Sequence, residues 1–560
     1  MSSPHTDWFT QLRASQAYSN LTQRPIAYFC AEFALSDQLP TYAGGLGILA
    51  GDYILEAAEQ KIPVLGVGLY YKEGFFHKEL SKEGAIVDVH TAGSPDKSEL
   101  TSVVNDKGEM VVVTVPIHDH IVAVRAWMWT KGTVRVYLLD TNFEQNEEAD
   151  RHITDKLYVG EKETRFKQEM VLGIGGLRLL ESLGHHPSAY HLNEGHSALL
   201  ILELIRHEMQ EHNVGFIDAK ERAKHRLLFT NHTLVAAGND VFSNDLVALL
   251  LGHYADELSV PIQTIVDLGL VQESSVFSMT MLALRTAGKI NAVSKLHAEK
   301  AKTIWADHPM FPITNGVHIP GWDMVHEVDH IWERHQERKQ ALLDRIAAET
   351  GEHWDTQTLL LGWGRRMVRY KRPLALVERL KRFNDLARNT ERPIRLVFAG
   401  HSHPSDQDGV GLLEELQYRL SSDLKGLAVY ITGYNKELAQ LMTSGCDMWI
   451  NTPVVGFEAC GTSGMKAALN GVLPLTTNDG WVHEINLYDI GWVLNDSNVT
   501  VDVLEKLEDE ILPLYYSRND KGIPETWVRM MQNSRKLIFD EFSMTRALHT
   551  YLEQGFGIAP

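Results

Sequence analysis

Residues 427–451, LAVYITGYNKELAQLMTSGCDMWIN, contain a complete strand–helix–strand pattern. The apolar runs Leu427–Ile431 and Asp447–Asn451 flank Asn435–Ser444, where apolar residues recur three or four positions apart. Short apolar runs predict buried strands, and the longer spacing predicts an amphipathic helix. Strands joined through a helix lie parallel in one sheet, so this stretch predicts a βαβ unit.

The same alternation extends through the rest of the chain. In the second half it predicts the strands Thr358–Trp363 and Ile394–Ala399 and the helices Pro373–Asn389 and Gly411–Ser422. In the first half it predicts the strands Ile26–Cys30, Val64–Gly68, Val111–Val115, Thr133–Leu139 and Ala189–His191, and the helices Phe166–Leu183 and Ser197–His212. Strands and helices that alternate in this way form parallel sheets covered by helices, so we predict the α/β class.

The length of the chain, 560 residues, exceeds what one hydrophobic core supports and predicts two large domains. The charged, helical segment Asp323–Trp354 separates the two series of strands and is expected to bridge them. We therefore predict an N-terminal domain over residues 1–320 and a C-terminal domain over residues 321–545. Residues 546–560 belong to a last amphipathic helix, which is expected to cross back to the first domain.

Composition and charge exclude several classes of protein. The formal net charge of −20 argues against nucleic-acid binding, which needs a basic surface. The first residues lack an apolar signal sequence, and no apolar run approaches the roughly 20 residues of a membrane span. The three scattered cysteines, Cys30, Cys446 and Cys460, provide neither a disulfide framework nor a metal cluster. We expect a cytoplasmic protein that binds neither nucleic acid nor a membrane.

The segment Glu458–Lys466, EACGTSGMK, lies between a predicted strand and a predicted helix, Met465–Leu469. Gly461 and Gly464 allow a tight turn and a close approach to a ligand, and free amides at a helix start bind anions. Lys466 is expected in the first helical turn, where the dipole lowers its pKa and favours the neutral amine. Such an amine can form a Schiff base with an aldehyde cofactor. The alternative is a surface lysine beside a flexible loop.

Two further segments predict anion sites. Arg366 and Lys371 follow a strand and precede a helix expected to begin at Pro373, so their cations face the crevice of an α/β sheet and suit a bound phosphate. The alternative is a solvated basic edge. The loop Thr41–Gly47, TYAGGLG, precedes the predicted helix Ile48–Glu59 and brings backbone amides to an anion. Its glycine spacing differs from that of a dinucleotide-binding fingerprint.

Histidines at His185–His186 and at His401 and His403 raise the question of a zinc site. No cysteine or carboxylate completes a ligand set at suitable spacing, so we predict that no metal is bound. Cys460 is paired with no base in any motif, which favours its backbone amide over its thiol as the contributing group.

These segments occur in the order and spacing of the α-glucan phosphorylases, the family that acts on glycogen, starch and maltodextrin. The matching segments are EACGTSGMK, the stretch from Arg366 to Lys371, YAGGLG, HLNEGH at residues 191–196, TNHT at 230–233 and TNG at 314–316. Six ordered matches spread over residues 26–545 are much more specific than one. The chain resembles the short phosphorylases of prokaryotic type. The resemblance implies the GT-B fold, in which a glucosyl-binding and a cofactor- and phosphate-binding Rossmann-like domain face a central cleft.

The resemblance implies a role for each matching residue. Lys466 resembles the lysine that holds pyridoxal 5′-phosphate as a Schiff base, and Arg366 and Lys371 resemble the pair that grips the substrate phosphate. His232 and Glu458 complete the implied catalytic set through contacts with the glucosyl unit. The other implied cofactor-binding residues are Thr462, Gly461, Ser463, Arg365 and Tyr434. The other implied substrate-binding residues are Gly44, Gly45, Leu46, Asn315, Ala459, Cys460, Tyr370, Glu194 and His196.

The implied reaction is reversible phosphorolysis of the non-reducing end of an α-1,4-glucan to α-glucose 1-phosphate, with retained configuration. The phosphate protonates the leaving oxygen and then attacks the oxocarbenium-like carbon from the same face. The expected partners are a glucan or maltodextrin and inorganic phosphate, and the resemblance permits a homodimer. The chain departs from animal and enterobacterial members at Arg365, where they have lysine, and at GTSGMK, where they have GTGNMK. Both departures bear on how tightly the cofactor is held.

Two other functions fit the same fold. A nucleotide-sugar glycosyltransferase, such as a glycogen synthase, has no need of a Schiff-base lysine at position 466, and this difference favours a phosphorylase. A non-catalytic glucan-binding protein has little reason to keep unpaired cations in a cleft, where burial makes them costly.

Overall fold

A computed structural model describes residues 5–36, 38–75, 77–80, 86–89, 93–95, 98–235, 239–272, 274–402 and 406–560. It contains two large sheets, one in each half of the chain. Consecutive residues of a central strand alternate between two hydrophobic cores: Phe29 contributes to one core and Tyr28 to the other. Helices therefore cover both faces of the sheet, and the predicted α/β class with two Rossmann-like halves of the GT-B type is confirmed.

The strands of the first half, numbered along the chain, are β1 Ile26–Cys30, β2 Val64–Leu69, β3 His77–Leu80, β4 Ile86–Val89, β5 Thr101–Ser102, β6 Val113–Ile117, β7 His120–Lys131, β8 Val134–Asp140, β9 Ala189–Asn193, β10 Leu227–Asn231, β11 Val241–Ser243, β12 Leu270–Val271, β13 Val276–Ser278, β14 Lys289–Ala292 and β15 Phe311–Pro312. The large sheet has the order β15-β14-β10-β9-β1-β2-β8-β7-β5, and β6 pairs with β7. It is parallel from β15 to β8 and antiparallel beyond.

The second sheet is parallel throughout. Its strands are β16 Leu359–Gly364, β17 Ile394–Ala399, β18 Ala428–Ile431, β19 Met448–Asn451, β20 Leu473–Thr477 and β21 Trp492–Leu494. Their order is β18-β17-β16-β19-β20-β21, so β16 and β19 lie side by side at the point where the strand order reverses. Ligands of open α/β sheets bind outside the carboxyl ends of strands at such a point.

The helices of the first half are α1 Thr6–Arg13, α2 Gln16–Gln23, α3 Gly45–Glu59, α4 Glu148–Arg151, α5 Lys162–Met170, α6 Gly176–Ser182, α7 Leu200–His212, α8 Phe216–Lys224, α9 Asn244–Leu258, α10 Ile262–Gly269, α11 Met279–Thr286, α12 Lys295–Ile304 and α13 Ile319–Trp322. Those of the second half are α14 Ile331–Thr350, α15 Leu380–Ala387, α16 Gln407–Ser421, α17 Lys436–Gly445, α18 Thr462–Leu469, α19 Val499–Lys506, α20 Leu512–Tyr516, α21 Glu525–Glu541 and α22 Met544–Thr550. Within these ranges, no helix is both long enough and apolar enough to cross a lipid bilayer.

The strands predicted from the sequence are present, with ends that differ by a few residues. One predicted helix is wrong in extent, because Pro373–Asn389 is helical only over α15. Arg372 has the left-handed conformation, with φ of 46°, and the Ala375 amide donates to its carbonyl. This hydrogen bond joins residues three apart, as in a turn, whereas an α-helix joins residues four apart. Pro373 therefore lies in a turn and does not begin the helix.

The end of the chain packs on the first half. Helix α22 contacts α3, and Leu548 and Leu552 are fully buried in the core that also contains Ile54. Beside helix α22, a backbone hydrogen bond joins the two halves, since the Met544 amide donates to the Val317 carbonyl at 2.8 Å. Burying each leucine contributes about 1.5–3 kcal/mol, so the tail helix stabilises a domain far away in sequence.

Candidate active site

Polar residues stand at the carboxyl ends of neighbouring parallel strands in both halves. In the first half, Asn193 ends β9 and Asn231 ends β10. In the second half, Arg365 directly follows β16 and Asn451 ends β19. The two sheet edges meet here, because Ser294, which follows β14, donates its hydroxyl to the Ala459 carbonyl at 2.6 Å. The candidate site therefore lies in the cleft between the halves.

The glycine loop forms the start of helix α3. The helix begins at Gly45 and not at the predicted Ile48, so Gly45 and Leu46 lie in its first turn, where amides are free to bind an anion. A Cβ atom added at Gly44 or Gly45 would have no neighbour within 4 Å, so the space in front of the loop is open. The glycine run thus stands at the start of a helix as predicted, although the helix begins three residues earlier, and its contact with an anion stays a prediction.

Glu32, which belongs to none of the sequence motifs, holds the glycine loop from behind. One carboxylate oxygen accepts the amides of Ala43 at 2.7 Å and Gly44 at 3.1 Å. The other accepts the Tyr158 hydroxyl at 2.5 Å. Glu32 is buried and stands two residues beyond β1, so its position after a buried parallel strand was the available signal.

Glu194 occupies a strained backbone conformation, with φ of 71° and ψ of 174°. This region is essentially restricted to glycine, and such strain is kept where surrounding contacts impose it. The Glu194 carboxylate accepts the His232 amide at 2.7 Å, and burial raises the pKa of Glu194 to about 8. Glu194 therefore carries a proton at neutral pH. Its hydrogen bond to the His232 amide joins two of the predicted substrate-binding residues, Glu194 and His232.

His232 is neutral and oriented. Its Nε2 lies 2.5 Å from Asn193 Oδ1, and because that oxygen can only accept, Nε2 carries the proton. Burial, followed by the nearby imidazoles of His297, His191 and His196, lowers the pKa of His232 to about 3. A neutral imidazole with a fixed tautomer suits recognition of a sugar hydroxyl.

Asn315 and His196 flank this pair. Asn315 lines a small cavity together with Asn193, and its backbone lies against the Cys460 thiol of the opposite half. His196 is buried, and its ring lies 6.1 Å from that of Tyr158, which supports the glycine loop through Glu32. Burial lowers the pKa of His196 to about 4. The structure thus brings the predicted substrate-binding residues of the first half around one end of the cleft.

Glu458 lies between two cations of the second half. Its Oε2 is 2.8 Å from an Arg365 nitrogen and 3.4 Å from Lys371 Nζ. Arg365 also binds the Asn451 side chain, and all three charged groups are largely buried. Burial, followed by the Arg365 charge, lowers the pKa of Lys371 to about 7, despite the opposing effect of Glu458. Two basic side chains share one carboxylate here, so the cluster has a net positive charge whenever Lys371 is protonated.

Arg366 is placed differently from its neighbour. Its side chain is exposed, which fits the solvated-edge alternative, and the predicted pairing of Arg366 with Lys371 at a bound phosphate stays a prediction. The guanidinium lies near the Tyr370 hydroxyl, and the Tyr370 ring lies 6.1 Å from that of Phe457. Of the two consecutive arginines, Arg365 joins the buried cluster, because it extends β16 inward while the next side chain points outward.

Lys466 is buried, with 6% of its surface exposed, so the surface-lysine alternative is wrong. Its predicted place in the first helical turn is also wrong, because α18 begins at Thr462 and Lys466 is the fifth residue. Burial is the main reason that the pKa of Lys466 falls to about 8, and the helix dipole, which fades within the first turn, is not needed. Nζ lies 4.0 Å from the centre of the Trp322 ring.

The start of α18 and its surroundings fit a phosphate-bearing aldehyde. Gly461 is left-handed, with φ of 72°, and precedes Thr462 and Ser463, so the first amides of an eight-residue helix face outward. Tyr434 donates its hydroxyl to the Gly364 carbonyl and belongs to the cluster that contains Met465 beside Lys466. Among the residues that the structure describes, Lys466 Nζ makes no hydrogen bond or ion pair, so the amine is available to a carbonyl compound.

Other predictions concern metals and Cys460. In the described part of the chain, three groups of side chains have ligand atoms close enough to share an ion, and none of the three contains a predicted site residue. The first group is His118, Asp119 and His120, the second is Glu56, Glu59 and His318, and the third is Glu181, Glu203 and His207. His403 lies outside the described residues. Burial raises the pKa of the Cys460 thiol, which keeps it protonated and unreactive, and the predicted contribution of its backbone amide stays a prediction.

Several contacts of the site were missed because they join distant parts of the sequence. Asp479 accepts the Glu458 amide at 3.0 Å and so fixes the loop in which Glu458 stands. Glu484 accepts the Thr314 hydroxyl at 2.8 Å and the Lys295 amide at 2.9 Å, which joins the halves beside Asn315. Asp479 stands two residues after β20, so a polar residue after a buried parallel strand was again the signal.

Comparisons with known proteins agree with this geometry. The family profile described as "Phosphorylase: Carbohydrate phosphorylase" matches residues 323–491, which contain the Arg365–Lys371 segment and the loop of Glu458. A protein named "Maltodextrin phosphorylase" from Thermococcus litoralis is 34% identical over 99% of this chain and 72% of its own length. Proteins named "Glycogen phosphorylase" from Aquifex aeolicus and Mycobacterium tuberculosis are each 29% identical, over 97% and 99% of this chain and 88% and 73% of their own lengths. The protein resembles these enzymes over nearly its whole length, and its cleft and buried lysine fit the same family. The protein therefore belongs to the carbohydrate phosphorylase family.

Proposed function

We propose that this chain catalyses the reversible phosphorolysis of α-1,4-linked glucosyl units at the non-reducing end of a glucan, giving α-glucose 1-phosphate. The observation that carries the proposal is the cluster of Arg365, Glu458 and Lys371, in which two buried basic side chains share one carboxylate and so leave a positive charge uncompensated when Lys371 is protonated. An uncompensated buried charge is costly, and a bound phosphate would neutralise it. The space in front of the glycine loop is open, so the free amides of the first turn of α3 could hold the same anion from the other half.

The first half is suited to hold the glucosyl unit. We assign its 6-hydroxyl to His232 and Asn315, because the imidazole is neutral and oriented by Asn193. The 3-hydroxyl is assigned to Glu458 and to the amides of Ala459 and Cys460, which the Ser294 hydroxyl holds in place through the Ala459 carbonyl. Fixed donors and acceptors of this kind orient the sugar and exclude water from the reacting carbon.

The substrate phosphate is the acid and the nucleophile of the proposed reaction. It gives a proton to the leaving glycosidic oxygen and then bonds to the anomeric carbon from the same face, so configuration is retained. Lys371 and the amides of Gly45 and Leu46 hold that phosphate, whereas the Gly44 amide donates to Glu32. Because the pKa of Lys371 lies at about 7 before phosphate binds, the lysine takes up a proton as the phosphate enters at neutral pH.

Pyridoxal 5′-phosphate is the proposed cofactor, held at Lys466. When bound, it supplies its own phosphate group as a charge partner for the substrate phosphate. Thr462, Ser463 and the amides that follow Gly461 are the residues that would hold that group at the start of α18. Arg365 is close to the same turn, because one of its guanidinium nitrogens lies 3.6 Å from the position that a Cβ would take at Gly461. Its positive charge would therefore attract the cofactor phosphate.

The test compares two reaction mixtures and two matched variants. Purified protein is incubated with maltodextrin and inorganic phosphate, or with maltodextrin and a nucleotide sugar, and glucose 1-phosphate and glucan chain length are measured. We expect glucose 1-phosphate from the first mixture. Lys371→Gln should lower kcat/KM for phosphate about 10²–10³-fold, because it removes a cation from the anion site. Chain extension from the nucleotide sugar without any glucose 1-phosphate would contradict the proposal.

The matched control lies two residues away from Lys371. Arg369 is an exposed cation on the same short segment, and it pairs with the exposed Asp408 at 2.9 Å. Exposed pairs contribute little to stability, so Arg369→Gln should change kcat/KM for phosphate less than about twofold. An equal loss in both variants would show that general charge, rather than the buried cluster, governs phosphate binding.

The cytoplasm remains the proposed location, and all three cysteines are free and buried, which fits a reducing compartment. A homodimer remains a proposal that rests on the family resemblance. The proposed division into residues 1–320, 321–545 and a returning tail follows the two sheets and the packing of α22 on α3.

A further inference from the structure

Two residues from distant parts of the chain, Trp322 and Asp52, meet beside the buried amine of Lys466. Trp322, at the end of α13, presents the face of its indole ring to Lys466 Nζ at 4.0 Å. The ring nitrogen of Trp322 donates to the Asp52 carboxylate, at 3.0 Å from each of the two oxygens. Asp52 belongs to α3, the same helix whose first turn forms the glycine loop. One carboxylate therefore links the anion loop to the surroundings of the lysine.

The Asp52 carboxylate is held rigidly in place. It is buried, with 3% of its surface exposed, and besides the indole it accepts the His318 amide at 3.5 Å. Because an indole N–H can only donate and a carboxylate can only accept, this bond fixes the plane of the Trp322 ring. The ring in turn covers one side of the amine. A cation over the face of tryptophan is attracted by the ring, which favours the charged form of the lysine.

Few other charges act on Lys466. Burial opposes the ammonium form, Asp52 supports it, and Lys436 on α17 opposes it. Of the other acidic residues on α3, Glu56 accepts the Thr545 hydroxyl and Glu59 pairs with His318 at 2.9 Å. In the part of the structure described, Asp52 is thus the carboxylate that offsets the burial of this amine.

We propose that Asp52 is a positioning residue for Lys466: its carboxylate fixes Trp322 over the amine and sets the proton affinity at which the lysine captures the aldehyde of pyridoxal 5′-phosphate. The inference rests on the proposed function, because it assumes that Lys466 is the cofactor lysine. Only the neutral amine attacks an aldehyde. A carboxylate that favours the ammonium therefore slows capture near neutral pH, and removing its charge should accelerate capture there.

The test measures the pH dependence of capture in the full-length chain. The protein is stripped of cofactor with hydroxylamine, mixed with pyridoxal 5′-phosphate at a series of pH values, and quenched with borohydride. The lysine nitrogen bonds to the aldehyde carbon with loss of one water, and hydride plus a solvent proton then converts the double bond to a stable amine. Mass spectrometry of the peptide that contains Lys466 gives the extent of labelling at each time.

We compare wild type with Asp52→Asn, which keeps an oxygen to accept the indole N–H and removes the charge. The wild-type rate should rise with pH to a midpoint at about 8. Loss of the carboxylate should lower the midpoint by about one pH unit, which corresponds to roughly tenfold faster capture about two units below the wild-type midpoint. At high pH, where both amines are neutral, the two rates should be equal. The same midpoint in both proteins would overturn the inference.

Two further variants keep the result interpretable. Glu59→Gln removes a carboxylate from the same helix that pairs with His318 instead of Trp322, so its midpoint should equal that of wild type. Asp52→Ser is the second neutral variant, and it serves if Asp52→Asn fails to fold. If wild type acquires no label at Lys466 at any pH, the cofactor assignment fails and the inference fails with it. If wild type is labelled and only the shift is absent, the proposed function stands.

Discussion

At the scale of single residues, the site depends on groups whose ionisation the fold has changed. Glu194 shows this most directly, because a strained backbone holds its carboxyl group in a buried position against the His232 amide. Burial raises the pKa of Glu194 from 4.5 to about 8, so folding favours its protonated form. Such a group contributes its full stability below its unfolded pKa and loses that contribution as the pH rises toward the folded value.

Glu194→Gln tests this account. Glutamine keeps an oxygen for the His232 amide and cannot ionise, so it avoids the cost that wild type bears between pH 4.5 and about 8. We expect the variant to be more stable than wild type by about 1–3 kcal/mol near neutral pH, with the difference vanishing toward pH 4.5. Calorimetry over this pH range measures it. A stability difference that does not change with pH would contradict the assigned protonation.

Glu194→Ala is the matched control for that experiment. Alanine retains the Cβ atom that makes φ of 71° unfavourable and removes the oxygen that accepts the His232 amide. An unsatisfied buried amide costs about 1–3 kcal/mol, so this variant should be less stable than Glu194→Gln at every pH.

Ordered motifs were enough to select Lys466, Lys371, Glu458 and the glycine loop. They were not enough to decide which of the consecutive residues Arg365 and Arg366 faces the buried cluster, since that depends on how the chain leaves β16. Glu32, Asp52 and Trp322 were missed because each acts through a contact with a residue far away in sequence. Local pattern gives residue type and spacing, whereas these contacts follow from tertiary packing.

At the scale of elements, strands were predicted better than helix starts. A buried parallel strand is a short apolar run, and such runs are visible in one sequence. Helix starts depend on local backbone geometry: α3 begins within the glycine run, and α15 begins after a series of turns that follow Arg372. The extent of α18 changes the explanation of Lys466, whose lowered pKa follows from burial instead of from the first helical turn.

The tail helix α22 is an element whose contribution can be measured. Leu548 is fully buried against the first half of the chain, although it stands near the end of the sequence. Leu548→Ala should lower stability by about 2–5 kcal/mol, because it leaves a cavity between α22 and α3. Thermal or denaturant unfolding measures this loss, and hydrogen exchange should locate it in α3. The exposed residue Gln554 gives the control Gln554→Ala, and an equal effect in both variants would show that α22 does not support the first half.

At the scale of the whole molecule, two parallel sheets present the carboxyl ends of their strands to one cleft. The halves touch close to the candidate site, where Ser294 meets Ala459 and Thr314 meets Glu484. These contacts fix the loop of Glu458 against the residues that would hold the glucosyl unit. The first half has neutral, oriented groups and the second half has a buried ion cluster, and this difference is the basis for assigning the sugar to the first and the phosphate to the second in the proposed reaction.

In the proposed reaction, phosphate held between the halves takes the glucosyl unit with retained configuration. Nuclear magnetic resonance of the protein with maltodextrin and inorganic phosphate tests it most directly, because proton and phosphorus signals report both the new ester and its anomeric form. We expect α-glucose 1-phosphate to accumulate as the glucan shortens. Appearance of the β-anomer, or shortening of the glucan with no sugar phosphate formed, would contradict it.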